Sequence, residues 1–183
     1  MTTTLPGTTI EVSEMCKGTS RRLFDGIFAA GGITLSQVSV VTDLEPYRIQ
    51  NWVKRGFVPS PQRRQYTRNQ FARIVIINML CDSLQLDRIC ELLSYINGNL
   101  RDESDDVIDD SELYHRYTDM IAETGGIVSH ATIRQAAKQA AADYAEPIPG
   151  ARERLEKTLL VMAYAHYATI ARHMAAETLA QLL

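Results

Sequence analysis

The sequence has few cysteines and no apolar run long enough to cross a bilayer. Its three cysteines, Cys16, Cys81 and Cys90, are too few for the disulfide framework of a secreted domain. The most apolar segment, IVIINML at 74–80, is followed closely by Asp82, whereas a membrane helix needs about 20 apolar residues. The N-terminus has no basic segment followed by an apolar one, so no signal peptide is expected. These absences predict a cytoplasmic protein with reduced thiols and no membrane partner.

Motifs of catalysis and of cofactor binding are missing as well. The sequence contains no glycine-rich phosphate loop and no nucleophile elbow. Its carboxylates concentrate in a polar segment at 101–112, where paired acid and base groups would lack a shaped pocket. Cys81 and Cys90 fall on two different predicted helices, and a metal site would need more ligands at closer spacing. We therefore expect no enzyme, no catalytic residues, no cofactor and no bound metal.

Acidic side chains are absent from residues 46–81, which carry seven Lys and Arg residues. The chain as a whole has a net charge of −3, so its positive charge is concentrated in this segment. Such asymmetry is typical of a surface that meets a polyanion. A solvated basic face is the alternative explanation, and the positions of the basic side chains decide between the two.

The segments 34–43 and 45–55 predict two short helices joined by a tight turn, the helix-turn-helix unit. Thr34 is a favourable N-cap, Pro46 is tolerated at a first helical position, and Gly56 can end the second helix. Apolar residues recur in both segments at the spacing of a buried helical stripe: Leu35, Val38 and Val41 in the first, and Ile49, Trp52 and Val53 in the second.

The polar side chains of the second predicted helix lie largely off its apolar stripe. They are of the kinds that contact phosphates and base edges: Tyr47, Arg48, Gln50, Asn51, Lys54 and Arg55. We interpret 45–55 as a recognition helix that enters the major groove of DNA, with a solvated helix face as the alternative. Trp52 could stack on a base, but its spacing with Ile49 and Val53 favours the core.

A two-stranded β wing is predicted at residues 57–66. Pro59 and Pro61 exclude a helix there and favour extended or turn geometry. The residues at 57–58 can begin one short strand, and RRQY at 63–66 can return as the second.

Arginines in and after the wing extend the candidate DNA surface. We expect Arg63 and Arg64 to contact phosphates or the minor groove from the wing. Arg68 joins the candidate DNA-binding residues, although both Arg68 and Arg73 could face either phosphate or solvent. Tyr66 is expected to pack beneath the wing.

The sequence outside this region predicts a loose N-terminal arm and a series of helices. Predicted helices lie at 20–30, 67–85, 86–98, 112–123, 130–146 and 150–183, the second of them capped by Thr67 and Gln70. The expected organisation has four parts: an arm and short helix at 1–32, a winged helix-turn-helix domain at 33–100, an acidic linker at 101–111 and a helical region at 112–183.

The last predicted helix is longer than the usual 8 to 20 residues, which suggests that it packs against several helices or a second subunit. Its apolar seam is Leu155, Leu159, Met162 or Ala163, Tyr167, Ile170, Met174 and Leu182. We expect a homodimer formed through the C-terminal helices.

The order of these motifs resembles the DNA-binding domain of the MerR-type winged helix-turn-helix regulators. The resemblance rests on IQNWVKRGFVPSP, on the basic RRQY, on T..Q.ARI opening the next helix and on LQLDRICELL, and it covers roughly residues 33–98. More narrowly, GGITLSQVSVVTDLEPYRIQNWVKRGFVP is similar to a functionally uncharacterised bacterial family that joins such a domain to a helical tail. The tail departs from typical MerR-type regulators and lacks a metal-binding cysteine cluster, so their effectors and promoter-twisting mechanism do not carry over.

The sequence therefore predicts a mainly α protein: a MerR-like winged helix-turn-helix with a small two-stranded wing, plus a C-terminal helical region. The expected function is sequence-specific binding of double-stranded DNA by residues 34–73, with regulation of transcription as the outcome. The alternative is a protein–protein interaction module that uses the helical tail and does not bind DNA.

Overall fold

A computed structural model describes residues 3–98, 107–125 and 129–182 of the chain. Within these ranges the protein is mainly helical. The helices are α1 (Thr19–Ile27), α2 (Leu35–Thr42), α3 (Pro46–Lys54), α4 (Arg68–Leu80), α5 (Leu86–Asn97), α6 (Asp110–Thr124), α7 (His130–Ala142) and α8 (Ala151–Ala180). The strands are β1 (Thr3–Thr4), β2 (Glu11–Val12), β3 (Ile33–Thr34) and β4 (Gln65–Tyr66). In the part of the chain described, no helix combines the length and apolarity needed to span a membrane.

Local capping explains where α2 and α3 begin and end. The Thr34 side chain accepts from the backbone of Gln37, whose side chain accepts from Thr34 in return, a complete capping box. Pro46 opens α3, as predicted from its missing N–H. Gly56, at φ 77°, ends it: its N–H donates to the Val53 carbonyl, and the next N–H donates to the Trp52 carbonyl. This is a Schellman motif, and it requires the left-handed backbone that glycine supplies.

The two strands of the expected wing do not pair with each other. Residues 57–61 contain no strand, and β4 instead pairs antiparallel with β3, Ile33 opposite Tyr66. The prediction of a two-stranded wing within 57–66 is wrong in this respect. Two prolines interrupt the first candidate strand and prevent regular pairing there. Gly32 admits the pairing because a Cβ at this position would lie 2.8 Å from the Cβ of Gln65.

Helix α4 is the central element of the core. A capping box of Thr67 and Gln70 begins it, as the sequence predicts. The helix packs against α2, α5, α6 and α8, and its residues from Phe71 to Ile77 are buried on every side. Gln70 has a second role, because its Nε2 donates to the Ser60 carbonyl at 3.0 Å. The cap of α4 therefore also holds the segment that follows α3.

One charged residue lies inside this apolar helix. Arg73 is 2% exposed and forms an ion pair with Asp110 at the start of α6, with 2.9 Å between Nη1 and Oδ2. Its Nε donates to the Phe57 carbonyl at 2.7 Å, and the amide of Asn97 donates to the other carboxylate oxygen. Burial raises the pKa of Asp110 despite the adjacent guanidinium. Arg73 therefore faces neither phosphate nor solvent, the two positions considered from the sequence.

The N-terminal segment is not the loose arm that we expected. Strands β1 and β2 pair as a short hairpin, and Leu5 between them is completely buried. The backbone N–H of Thr9 donates to the Val41 carbonyl at the end of α2. Gly7 lies so close to α4 that a Cβ would stand 2.4 Å from the Val75 carbonyl oxygen. Threonine-rich composition was therefore a poor guide to mobility here.

The acidic linker predicted at 101–111 lies partly outside the described residues, namely at 101–106. Where the structure resumes, Val107 and Ile108 are buried and α6 begins at Asp110, earlier than the expected residue 112. Helix α6 packs directly on α4 and α1. The C-terminal helices therefore share one hydrophobic core with residues 33–98.

The last helix is long, as the sequence predicts, but α8 has 30 residues and ends at Ala180 rather than at the predicted residue 183. Its buried seam runs from Leu155 through Met162 to Thr169 against α5, α6 and α7. Beyond Ile170 every described residue of the chain is exposed, including Met174 and Leu182 of the predicted seam. The apolar seam thus continues past the last helix that packs on it.

Candidate nucleic-acid interface

The outer face of α3 is solvent-exposed along its length. All six residues predicted to contact DNA from this helix are exposed: Tyr47, Arg48, Gln50, Asn51, Lys54 and Arg55. Ile49 and Trp52 point the other way and are 0% and 4% exposed. The predicted division of α3 into a buried stripe and a polar face is confirmed, and Trp52 belongs to the core.

Two of the α3 arginines have neighbours that orient them. The Arg48 guanidinium lies 5.7 Å from the Trp52 ring centroid, and its Nη2 is 3.9 Å from Cys81 Sγ. Burial raises the pKa of the Cys81 thiol, which favours the neutral form and leaves the Arg48 charge uncompensated. Arg55 stacks 4.5 Å from the Phe57 ring centroid and pairs at 3.4 Å with Asp87, and both partners of that pair are exposed.

Arg63 and Arg64 occupy the two central positions of a tight turn between Gln62 and Gln65, which we call the arginine turn (residues 62–65). Gln62 and Gln65 exchange both backbone hydrogen bonds, at 2.8 and 3.1 Å. The φ angles of Arg63 and Arg64 are 49° and 64°, the left-handed region. This is the two-residue hairpin of type I′, which favours Asn-Gly because its central residues need positive φ.

Arginine at these two positions costs conformational energy that Asn-Gly would avoid. Both arginines are exposed, and neither has an ion pair within the described ranges. The turn therefore presents two unpaired guanidinium groups at a strained position.

Arg68 lies apart from this exposed set. It is half-buried at the start of α4, where Nη1 contacts Asp25 at 2.5 Å and Nη2 donates to His115 Nε2 at 3.1 Å. Its guanidinium is also 5.8 Å from the Phe24 ring centroid. The structure thus places this candidate DNA contact in an ion pair that joins α4 to α1 and in a hydrogen bond that joins α4 to α6.

His115 fixes Arg68 through a fully satisfied polar chain. Because Nε2 accepts from Arg68, Nδ1 carries the ring hydrogen and donates to Ser20 Oγ at 2.8 Å. Ser20 then donates to Thr118 Oγ1 at 2.7 Å, and Thr118 donates to the His115 carbonyl. Burial and the nearby Arg21 and Arg68 charges lower the pKa of His115 to about 4. The ring is therefore neutral at pH 7.

A groove brings the α3 face and the arginine turn together. This groove, of about 430 Å³, is lined by Leu35, Gln50, Val53, Lys54, Pro61, Arg64 and Tyr66. Gln50, Lys54 and Arg64 are exposed at its rim. Leu35, Val53 and Pro61 are half-buried and make its floor apolar. Two cations and an amide thus surround an apolar channel into which no acidic side chain projects.

Three features of this site could not be recognised from the sequence. The turn Gln-Arg-Arg-Gln contains no Gly or Asn, so its type I′ geometry has no compositional signal. The role of Leu35 in the groove depends on the β3–β4 pairing, which joins segments more than thirty residues apart. The burial of Arg68 depends on Asp25 and His115, which are distant in sequence and lie on other helices.

A metal centre finds no support in the part of the chain that the structure covers. No group of three or more His, Cys, Asp or Glu side chains lies close enough there to hold an ion. Cys81 and Cys90 are both half-buried free thiols.

Comparison with known proteins gives one match. Residues 32–117 match the family model of a domain of unknown function, DUF1836. No curated protein and no solved structure matches the chain. The matched region contains α2, α3, the arginine turn, α4 and α5, and it extends into α6. The region is thus similar to a family of unknown function, whose description names no activity.

Proposed function

We propose that residues 33–98 form a MerR-like winged helix-turn-helix, with the β3–β4 pair and the arginine turn as its wing, and that the protein regulates transcription by binding specific DNA sequences. Helix α3 enters the major groove, and the arginine turn contacts the sugar–phosphate backbone. The observation that carries this proposal is the arginine turn. Two arginines occupy left-handed positions that favour Asn-Gly, and they remain exposed and without ion pairs in the described structure. Two exposed, unpaired charges at strained positions do not stabilise the fold, whereas they are suited to binding a polyanion.

The arrangement of the other exposed residues on α3 supports the same function. Gln50 and Asn51 are amides of the kind that pairs with adenine edges, and neither has a side-chain hydrogen bond within the described residues. Lys54 lies one turn beyond Gln50 and lines the groove with Arg64. The helix thus offers base-reading amides flanked by phosphate-binding cations.

The test is fluorescence anisotropy with a random and a genomic duplex library across about 50 to 200 mM salt. Contacts to several phosphates should weaken binding by orders of magnitude over this range. Arg63→Ala or Lys54→Ala should lower the salt slope by about one unit on every duplex. Lys138→Ala, an exposed lysine on α7, is the matched control and should leave the slope unchanged. Salt-insensitive or undetectable binding by the wild type would refute DNA binding.

Sequence preference is tested separately from charge. Gln50→Ala or Asn51→Ala should change which duplexes are selected from a random library and leave the salt slope nearly intact. If these variants lose affinity equally for all sequences, the amides do not read bases.

The exposed end of α8 supports a homodimer as the DNA-binding species. From Ala171 onward every described residue is exposed although Arg172 reaches Asp82 at 3.3 Å, and Met174 and Leu179 are 53% and 56% exposed. A second copy of the same helix would bury this seam and present two recognition helices to two half-sites. Sedimentation at micromolar concentration should give a dimer, and Met174→Glu with Leu179→Glu should give a monomer. A wild-type monomer would contradict this arrangement.

The C-terminal surface also favours the second function that the sequence left open, a protein-interaction module. The same exposed seam would then dock a different protein, and duplex DNA would not bind with salt-sensitive affinity.

A further inference from the structure

The groove between α3 and the arginine turn is lined in part by a nearly buried tyrosine whose hydroxyl the fold does not use. Tyr66 is 3% exposed and lines the groove. Its hydroxyl has no hydrogen-bond partner among the described residues, unlike the hydroxyl of buried Tyr114, which donates to the Pro6 carbonyl at 2.6 Å. Among the described residues, Thr158 Oγ1 is the fully enclosed side-chain atom that lacks a hydrogen-bond partner. The Tyr66 hydroxyl also lacks a partner but does not belong to that class, so it is not completely enclosed. Tyr66 therefore offers an accessible hydrogen-bond donor at an otherwise buried site.

The chemistry of the groove indicates which kind of acceptor the Tyr66 hydroxyl would bind. Because the Tyr66 hydroxyl is accessible and has no partner among the described residues, it is free to donate to a ligand that enters the groove. Burial raises the pKa of Tyr66, so the hydroxyl keeps its proton and can donate to an anion. Lys54 and Arg64 flank the same groove, and no acidic side chain lines it. An acceptor that binds in this groove should therefore carry negative charge.

The apolar floor narrows the choice of anion. Leu35, Val53 and Pro61 offer carbon atoms rather than polar groups to whatever enters. A free phosphate would leave this floor uncovered, whereas a nucleic-acid strand brings a carbon-rich deoxyribose next to each phosphate. The groove also lies between α3 and the arginine turn, the two elements assigned above to the major groove and to the sugar–phosphate backbone.

We propose that this groove binds the sugar–phosphate backbone of one strand of the DNA duplex. The Tyr66 hydroxyl donates to a phosphate oxygen, Lys54 and Arg64 flank that phosphate, and a deoxyribose packs on Leu35 and Val53. The inference rests on the proposed DNA binding and adds a neutral donor to a contact surface otherwise made of cations and amides.

The experiment compares Tyr66→Phe with Tyr114→Phe. Loss of a hydrogen bond to a charged acceptor should weaken the Kd for a duplex by about tenfold in Tyr66→Phe. Its melting temperature should not fall, because the folded protein gives that hydroxyl no partner. Tyr114→Phe should do the reverse, with a lower melting temperature and an unchanged Kd, because its hydroxyl supports the N-terminal segment.

Salt dependence separates this neutral donor from the cations around it. Tyr66→Phe should leave the salt slope unchanged because no counterion is released at a hydroxyl, whereas Lys54→Ala should lower it by about one unit. A Tyr66→Phe variant with a reduced slope would contradict a direct neutral contact.

A double-mutant cycle with chemically modified DNA locates the contact. Duplexes carrying single neutral methylphosphonates are scanned across the site, and at one position the modification should abolish the difference between wild type and Tyr66→Phe. If Tyr66→Phe binds every duplex like the wild type, or if it unfolds more easily, this inference fails while DNA binding stands. If the wild type binds no duplex, both fail. Displacement of a labelled duplex by inorganic phosphate or polyglutamate as effectively as by unlabelled duplex would show that the groove accepts any anion, and would also overturn the inference.

Discussion

The cations on two sides of this molecule are held in opposite ways. On the side formed by α1, α6 and α7, Arg21 pairs with Glu112, and Arg116 pairs with both Glu112 and Asp143. On the side formed by α3 and the arginine turn, Lys54, Arg63 and Arg64 have no ion pair in the described residues. On the side formed by α1, α6 and α7, the ion pairs join helices and stabilise the fold. Unpaired cations remain where a polyanion would bind.

Arg73 and Asp110, which join α4 to α6, form the most buried ion pair among the described residues. Asp110→Ala should lower the free energy of unfolding by about 3–5 kcal/mol, because Arg73 would remain as an uncompensated buried charge. Asp143→Ala is the matched control: its carboxylate also pairs with an arginine but is 79% exposed, so its loss should cost under about 1 kcal/mol. Urea denaturation of both variants measures the difference. Similar small losses would show that the buried pair is not needed.

Acid should weaken the paired side through His115. The folded-state pKa is about 4 against an ordinary 6.5, so the unfolded chain takes up a proton first as the pH falls. Stability from this group is therefore complete above pH 6.5 and declines by about 3 kcal/mol on the way to pH 4. Burial also lowers the pKa of His166. The stability that His166 contributes is therefore lost over the same fall in pH and adds to the effect. Unfolding at pH 7 and pH 5 should show a smaller decline in His115→Gln than in the wild type.

On the unpaired side, substitution of the cations should raise the stability of the fold rather than lower it. Replacing Arg63 and Arg64 with Asn and Gly relieves two left-handed arginines and should raise stability by about 1–2 kcal/mol. The same change removes the two proposed phosphate contacts and should therefore weaken DNA binding by at least about tenfold. A double lysine variant retains both charges and both strained positions, and should therefore resemble the wild type in both assays. Lower stability in the Asn-Gly variant would mean that the arginines have a structural role.

Arg55 lies between the two extremes, since it belongs to the exposed face of α3 but pairs with Asp87. Asp87→Asn should change stability by less than about 0.5 kcal/mol, because both partners are exposed and the pair is screened. Freeing Arg55 should strengthen duplex binding by about twofold, which corresponds to roughly 0.4 kcal/mol. Anisotropy at low salt measures this change. Weaker binding by the variant would indicate that the ion pair positions Arg55 for contact.

Local signals in the sequence were sufficient to predict the helices α2 to α4. Thr67 and Gln70, Pro46 and Gly56 each act within one turn of their own position, so capping and helix ends could be inferred directly. The buried stripe that contains Trp52 follows from helical periodicity in the same way.

Features that depend on distant partners could not be predicted. Arg73 is buried because Asp110 reaches it from α6, and no short-range pattern links the two. Strand β4 pairs with β3 rather than with residues 57–58, since a strand of two residues carries little preference of its own. The arginine turn adopts positive φ angles without Gly or Asn, against the ordinary composition of such turns. In each case tertiary contacts decided between local alternatives.

The two hydrogen bonds of the Gln70 side chain link the proposed DNA surface to the core. The two regions should therefore open together during local unfolding. One carboxamide accepts from the Thr67 N–H at the start of α4 and donates to the Ser60 carbonyl ahead of the arginine turn. Displacement of the turn breaks the second bond and loosens the first, so the turn and the first residues of α4 should open as one cooperative unit. Native-state hydrogen exchange would then give their backbone amides a shared opening free energy, and a bound duplex would protect both together.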